Sequence, residues 1–211
     1  MKVDGNRFRR ARFAQFLALV GRIERVREQP LRIIDIGGTR SYWDSLGELW
    51  HGENLDITIV NLGSAVRDDS MFHERPGNAC DLSEYGDNSF DLVHSNSVIE
   101  HVGHWAEMKA MAREVRRIAP HYYLQTPNFW FPLEPHFRTL FWAQYPESWR
   151  AAMLMRKRRG FRGPAASLDE AMASLQDVNL LTARQLQALF PDAAITRERV
   201  FGLTKSIIAS R

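Results

Sequence analysis

Residues 31–39, Leu-Arg-Ile-Ile-Asp-Ile-Gly-Gly-Thr, restrict what this chain can become more than any other stretch. Leu31, Ile33, Ile34 and Ile36 put apolar side chains on both faces of an extended segment, which suits a strand covered on both sides. Gly37 and Gly38 then mark a tight turn into a helix. Central strands of this kind belong to parallel sheets, so the chain reads as α/β. Asp35 stands two positions before the first glycine, at the carboxyl end of the strand, where open α/β sheets receive ligands. The dinucleotide fingerprint G-x-G-x-x-G is absent, because Gly37 is followed by Gly38-Thr39-Arg40-Ser41-Tyr42.

The rest of the chain alternates as such a sheet requires. Over 6–28 an amphipathic helix is predicted, with Phe13, Phe16, Leu17, Val20 and Ile23 on one stripe and Pro30 as its terminator. Residues 42–50 read as a helix, and 55–60 as a second strand with Asn61 at its tip. The polar stretch 64–78 shows no period, so a third strand is expected only as a short piece around 78–80. A helix is expected over 105–119 with Met108, Met111, Ala112, Val115 and Ile118 facing inward, ended by Pro120. Strand five occupies 121–126. From 129 to 177 aromatic residues and prolines interrupt the pattern, and the end is regular again: a helix over 182–190 and a hairpin of 193–200 with 203–209.

A chain of 211 residues with 45% hydrophobic composition suits one well-cored domain, taken as 1–211. The sequence holds no run of about 18 apolar residues to span a bilayer, and with its charged N-terminal segment it reads as soluble and cytoplasmic. The single Cys80 excludes an intrachain disulfide. A net charge of +3 is not that of a dedicated nucleic-acid binder, although arginines cluster at 7–12 and at 156–162.

Two stretches together resemble a known family. Asp35 with Gly37 and Gly38 resembles the first motif of the class I S-adenosylmethionine (SAM)-dependent methyltransferases, with Thr39 and Ser41 where the family usually has glycine. Residues 80–102, Cys-Asp-Leu-Ser-Glu-Tyr-Gly-Asp-Asn-Ser-Phe-Asp-Leu-Val-His-Ser-Asn-Ser-Val-Ile-Glu-His-Val, resemble the family segment running from the adenine-binding acid through strand four into the next helix, as in the methyltransferase type 11/23 members. The resemblance implies a doubly wound, Rossmann-like mixed sheet of seven strands in the order 3-2-1-4-5-7-6, with the aromatic-rich insertion after strand five shaping the acceptor site. It implies SAM as the cofactor, with Asp35, Gly37 and Gly38 at its amino-acid part, Asn61 at the ribose, Asp81 and Leu82 at the adenine, and Ser95 at the methyl end. Asn61 replaces the family's usual acid, so an acid restored there is expected to bind more tightly.

Methyl transfer from a sulfonium needs an aligned acceptor, exclusion of water and, for some acceptors, a base; it needs no metal. Glu100, His101 and His104 could suggest metal ligands, but His101 and His104 lie three apart with no further ligand cluster in the sequence, so structural or pocket-lining roles are expected instead. His136, between Pro135 and Phe137, is the candidate general base, with His101 as a second candidate to orient the acceptor. Trp130, Phe131, Phe137, Phe141 and Trp142 are expected to wall an apolar acceptor pocket, with Glu134 among its few polar groups. The expected partner is a small-molecule acceptor of a glycan or secondary-metabolite kind; the alternatives are RNA as acceptor, drawn from the arginines at 156–162, or a protein of the same fold that no longer catalyses.

Overall fold

The computed structural model describes residues 7–24 and 29–211. The chain divides into two compact units, one of residues up to 96 with 114–123, the other of 97–113 with 124–211.

In the first unit, α1 (Arg7–Val20) buries Phe13, Phe16, Leu19 and Val20. It stops well short of the expected end: Gly21, a poor helix former, opens a turn in which Arg22 N–H bonds to the Leu19 carbonyl, so Pro30 is not its terminator. Asn6 and residues 25–28 of the expected helix lie outside the described residues. Strand β1 (Leu31–Ile36) buries every residue but Arg32, as its apolar faces predict. The expected helix at 42–50 is two short ones, α2 (Arg40–Asp44) and α3 (Gly47–Trp50). The break falls where Ser45 Oγ–H donates to the Tyr42 carbonyl at 2.7 Å and competes with the helical bond.

Strand β2 (Leu55–Asn61) runs parallel to β1 with Ile33 beside Ile57. The third parallel strand lies earlier than expected. After the two-residue β3 (Arg67–Asp68), β4 (Phe72–Pro76) pairs with β2 from Ile57 beside Phe72 to Asn61 beside Pro76, whereas 78–81 is a turn closed by Asp81 N–H to the Asn78 carbonyl. Only Phe72 of β4 is buried, so an outer strand with one apolar anchor leaves no periodic signal in the sequence. Strand β5 (Leu92–Asn96) pairs with β1 on its other side, Ile33 beside Leu92.

Helix α4 (Trp105–Ile118) buries the five inward residues that its spacing predicts. Strand β6 (His121–Pro127) follows, with every residue but His121 buried.

In the second unit the interruption after strand five becomes an ordered structure. A ribbon of β7 (Leu133–Glu134) and β8 (Thr139–Leu140) leads to α5 (Glu147–Arg156) and α6 (Leu168–Gln176). Phe137, Trp142, Ala151, Leu154, Ala171 and Leu175 form their common core. Thr182 and Gln185 build a reciprocal capping box for α7 (Ala183–Leu189). The chain ends as the expected hairpin, β9 (Ala194–Val200) with β10 (Leu203–Ser210), joined through Phe201 and Gly202 at φ +49° and +81°, the signature of a turn whose twist matches the strands.

The strand order is β3-β4-β2-β1-β5-β6-β10-β9. This contains the expected 3-2-1-4-5-7-6, with β3 as an eighth strand at the edge. No helix among the described residues is long and apolar enough to cross a membrane.

Candidate active site

At the carboxyl end of β1 the backbone turns sharply: Gly37 has φ +73° and its N–H donates to the Val60 carbonyl at 2.7 Å. Gly38 packs directly on the Asp35 carboxylate, where a Cβ would fall 1.8 Å from Oδ2. Thr39, in a place where a glycine was expected, has an extended backbone that needs none, and its Oγ1 accepts from Tyr42 N–H to cap α2. Asn61 Nδ2–H donates to the Gly38 carbonyl at 3.1 Å, so the tip of β2 is tied to the turn.

Asp35 turns inward. It is 1% exposed, Oδ2 accepts from Trp43 Nε1–H at 2.7 Å and Oδ1 accepts from His94 Nδ1–H at 2.7 Å. Phe16 and Trp43 meet the His94 ring edge-on, with centroids 4.8 and 5.6 Å away. Both carboxylate oxygens are thus bonded inside the protein, to Trp43 and His94. Ser95 and Leu82 are also bonded inward: Ser95 is buried and its Oγ–H donates to the Ile36 carbonyl at 3.1 Å, while Leu82 is buried and its N–H donates to Glu114 Oε2 at 3.0 Å. Glu114 is held in turn by Arg117, whose hydrogen bond keeps that carboxyl below its usual range. Asp81 is exposed at the head of its turn, and hydrogen bonds from Ser83 hold its carboxyl low. Of the seven cofactor-site candidates, Gly37, Gly38, Asn61 and Asp81 leave a backbone or side-chain group facing outward.

The second unit gathers residues far apart in sequence. His101 ends a short 3-10 turn (Ile99–His101), and its Nδ1–H donates to the Asp177 carbonyl at 2.8 Å, just past α6. His136 sits in the tight turn between β7 and β8; Phe161 N–H donates to its carbonyl, and Gly160 lies so close that a Cβ there would come within 2.3 Å of that oxygen. Its Nδ1–H donates to Glu134 Oε1 at 2.6 Å, and Phe137 N–H fixes Glu134 Oε2 at 2.6 Å. The Nε2 atoms of His101 and His136 face each other at 3.1 Å. Glu100 lies beside them, 0% exposed, with Oε2 accepting from Thr126 Oγ1–H at 2.9 Å and Oε1 without a hydrogen-bond partner among the described residues. Burial pushes the Glu100 carboxyl up. Burial pulls the His136 imidazole down, but the hydrogen bond and charge of Glu134 outweigh it and leave the ring more basic than usual. His104, paired with His101 in the sequence argument, is exposed and not of this group.

A cavity of about 310 Å³ opens in the second unit, walled by Trp105, Phe129, Phe137 and Trp142 and edged by Glu134 and Arg150. Its size is that of a small-ligand site. Of the five aromatics singled out in the sequence, Phe137 and Trp142 line this cavity; Trp130 and Phe141 are exposed, and Phe131 is not in the lining. Arg150, which has no distinguishing pattern in the sequence, is half-buried, and that burial lowers its pKa. The basic run at 156–162 is partly spent within the unit, since Arg162 pairs with Asp177 and Arg158 Nε–H donates to the Gly160 carbonyl.

Residues 46–120 match the family model described as a methyltransferase domain. The match covers about a third of the chain, and the fold is the one that class I methyltransferases adopt. The fold recurs in the CurJ carbon methyltransferase, with TM-score 0.57 at 13% identity over 94% of this chain and 53% of that one. It recurs in a SAM-dependent methyltransferase of Methanosarcina mazei, with TM-score 0.54 at 16% identity over 92% and 96% of the two chains. A phosphoethanolamine N-methyltransferase of Haemonchus contortus, solved with SAM, gives 0.52 at 16% identity over 88% of this chain and 38% of its own. The chain spans about half the length of several of the solved structures it resembles. No curated protein matches it.

Proposed function

We propose that the protein transfers a methyl group from SAM to a small-molecule acceptor. The observation that carries this reading is the methyltransferase-domain match over 46–120, which spans the tips of β2 and β5 and the acidic turn at Asp81. In this reading Gly37 and Gly38 admit the amino-acid part of the cofactor, Asn61 Oδ1 accepts from a ribose hydroxyl, and the exposed carboxylate of Asp81 meets the adenine amino group. Asp35, Ser95 and Glu114 hold these loops in shape from behind. The acceptor is taken by the 310 Å³ cavity of the second unit, whose mixed aromatic and charged lining suits an amphipathic small molecule better than a polynucleotide. Glu134 and Arg150, at the edge of that cavity, are the groups proposed to meet the acceptor's polar atoms; His136 and His101 are outside its lining, with His136 Nδ1–H holding Glu134 Oε1 in place.

Calorimetry with SAM and with its demethylated product S-adenosylhomocysteine tests the reading. Saturable binding of both is expected. A well-folded protein with no affinity for either at millimolar concentration would leave only a fold that no longer binds its cofactor. Salt-independent turnover of small acceptors, against steeply salt-dependent binding of RNA, separates the two acceptor classes.

A further inference from the structure

The histidine pair raises a problem of charge. Each Nδ1 faces an oxygen acceptor, the Asp177 carbonyl for His101 and the Glu134 carboxylate for His136, and must carry a hydrogen to bond with it. In two neutral rings each Nε2 then holds a lone pair, and these lone pairs face each other at 3.1 Å. Such a contact requires something positive between or beside the two nitrogens. The same place holds the fully buried Glu100, with Oε1 unpartnered among the described residues, and the buried Glu134 behind His136. Two carboxylates this deep call for compensating positive charge.

We propose that Glu100 Oε1 and the Nε2 atoms of His101 and His136 bind a divalent transition-metal ion of the zinc class. One carboxylate oxygen of Glu100 and one ring nitrogen from each histidine lie within 4.8 Å of one another. In a tetrahedral zinc site, bonds of about 2.0–2.1 Å to nitrogen place neighbouring nitrogens about 3.3 Å apart, close to the separation of this pair, and the carboxylate has to close by no more than about 1.5 Å. Two imidazoles and one carboxylate favour zinc, iron or cobalt over magnesium or calcium, which prefer all-oxygen shells. The ligands also have the outer partners that metal-binding histidines need: Glu134 and the Asp177 carbonyl orient the rings, and Thr126 orients Glu100. The charges of Glu100 and Glu134 balance a divalent ion. The His136 side chain is 20% exposed, so the site has an entry, and three protein ligands leave a fourth position for water or a ligand. The proposal does not rest on methyl transfer, since an ion would bind whether or not the protein accepts SAM.

The test is metal uptake by the full chain. Protein stripped with EDTA and dialysed is titrated with Co²⁺, followed by its visible absorption, and then with Zn²⁺. One equivalent of cobalt with the strong visible bands of a low-coordinate site, displaced by zinc, is expected. His136→Ala and Glu100→Gln should each weaken cobalt binding at least tenfold, and Glu134→Gln by about tenfold through loss of ring orientation. His104→Ala should leave it unchanged, and circular dichroism of each variant checks that it is folded. A wild-type protein that takes up no stoichiometric metal at 100 μM (roughly the upper end for a specific site) overturns the proposal. So does a folded His136→Ala that binds cobalt as the wild type does, which would place the metal elsewhere. A single proton shared between the rings, seen as a far-downfield resonance that persists in excess zinc, would overturn it as well.

Discussion

The turn after β1 and the histidine cluster of the second unit both contain buried acids, and they treat them in opposite ways. Around Asp35 every polar group is answered: Trp43 and His94 take its two oxygens, Gly38 covers it, and Asn61 ties the covering loop down. Around Glu100 the count fails, with an acceptor left over and two ring nitrogens facing each other. A saturated network holds a shape, whereas an unsaturated one has capacity for a ligand. Asp35, which most resembles a binding motif, is held within its own network, and the unused valence lies with Glu100 and the two histidines.

The largest effect expected from this contrast comes from breaking the saturated side. Asp35→Ala leaves the Trp43 indole and the His94 imidazole without their partner, and it should lower unfolding free energy by about 3–5 kcal/mol in chemical denaturation. A loss below about 1 kcal/mol would show that the network is not closed as described. In cofactor binding, Asp81→Ala should weaken SAM roughly tenfold with little change in melting temperature, because its carboxylate is exposed and bonded only within its own turn. Equal losses of stability and affinity would assign Asp81 to the scaffold instead.

Glu100→Gln sharpens the unsaturated side and should act with opposite sign. A carboxyl whose pKa is raised by folding supports the fold fully below its unfolded pKa and loses that support as pH rises through the raised value. In chelator, the wild type should thus lose stability between pH 4 and the neutral range, and Glu100→Gln should lose about 1 kcal/mol less over the same interval. Parallel stability profiles would mean that Glu100 is compensated by a partner outside its described hydrogen bonds. The smallest effect belongs to Asn61→Asp. An acid at the tip of β2 would by its charge bind the ribose more tightly, but Asn61 Nδ2–H donates to the Gly38 carbonyl, where a carboxylate would face another oxygen. A two- to threefold loss of SAM affinity (a few tenths of a kcal/mol) is now the expected calorimetric result, and a clear gain would restore the earlier expectation.

Elements with strong periodicity were legible in the sequence. The faces of β1, the inward residues of α4 and the cap at Thr182 are each specified by local spacing, and each lies where that spacing puts it. What escaped depends on competition that spacing does not encode. The Ser45 hydroxyl divides a helix, Gly21 ends one early, and β4 is held in the sheet by pairing and by Phe72 rather than by a pattern. The site divided similarly. Motif position located the Gly37 turn, but not the direction of the Asp35 carboxylate, which is set by Trp43 and by a histidine 59 residues away. His101 and His136 were each singled out, yet their meeting across 35 residues, with Glu100 between them and the core, is a product of tertiary folding. His104, their nearer companion in sequence, points elsewhere.

The last strand has a consequence for how the protein behaves in crowded solution. β9 ends the strand order, and among the described residues one side of its backbone has no neighbouring strand, the kind of edge on which a second copy could pair. It exposes Arg197 and Arg199, while its inner Glu198 is drawn to Lys205 of the neighbouring strand at 3.8 Å. An incoming copy of β9 would have to bring further arginines against these, repelling along the length of the new ladder and losing hydration at each charge. The fold thus ends in a strand poorly suited to templating aggregation, and neutralising Arg197 and Arg199 is the change that would make it sticky.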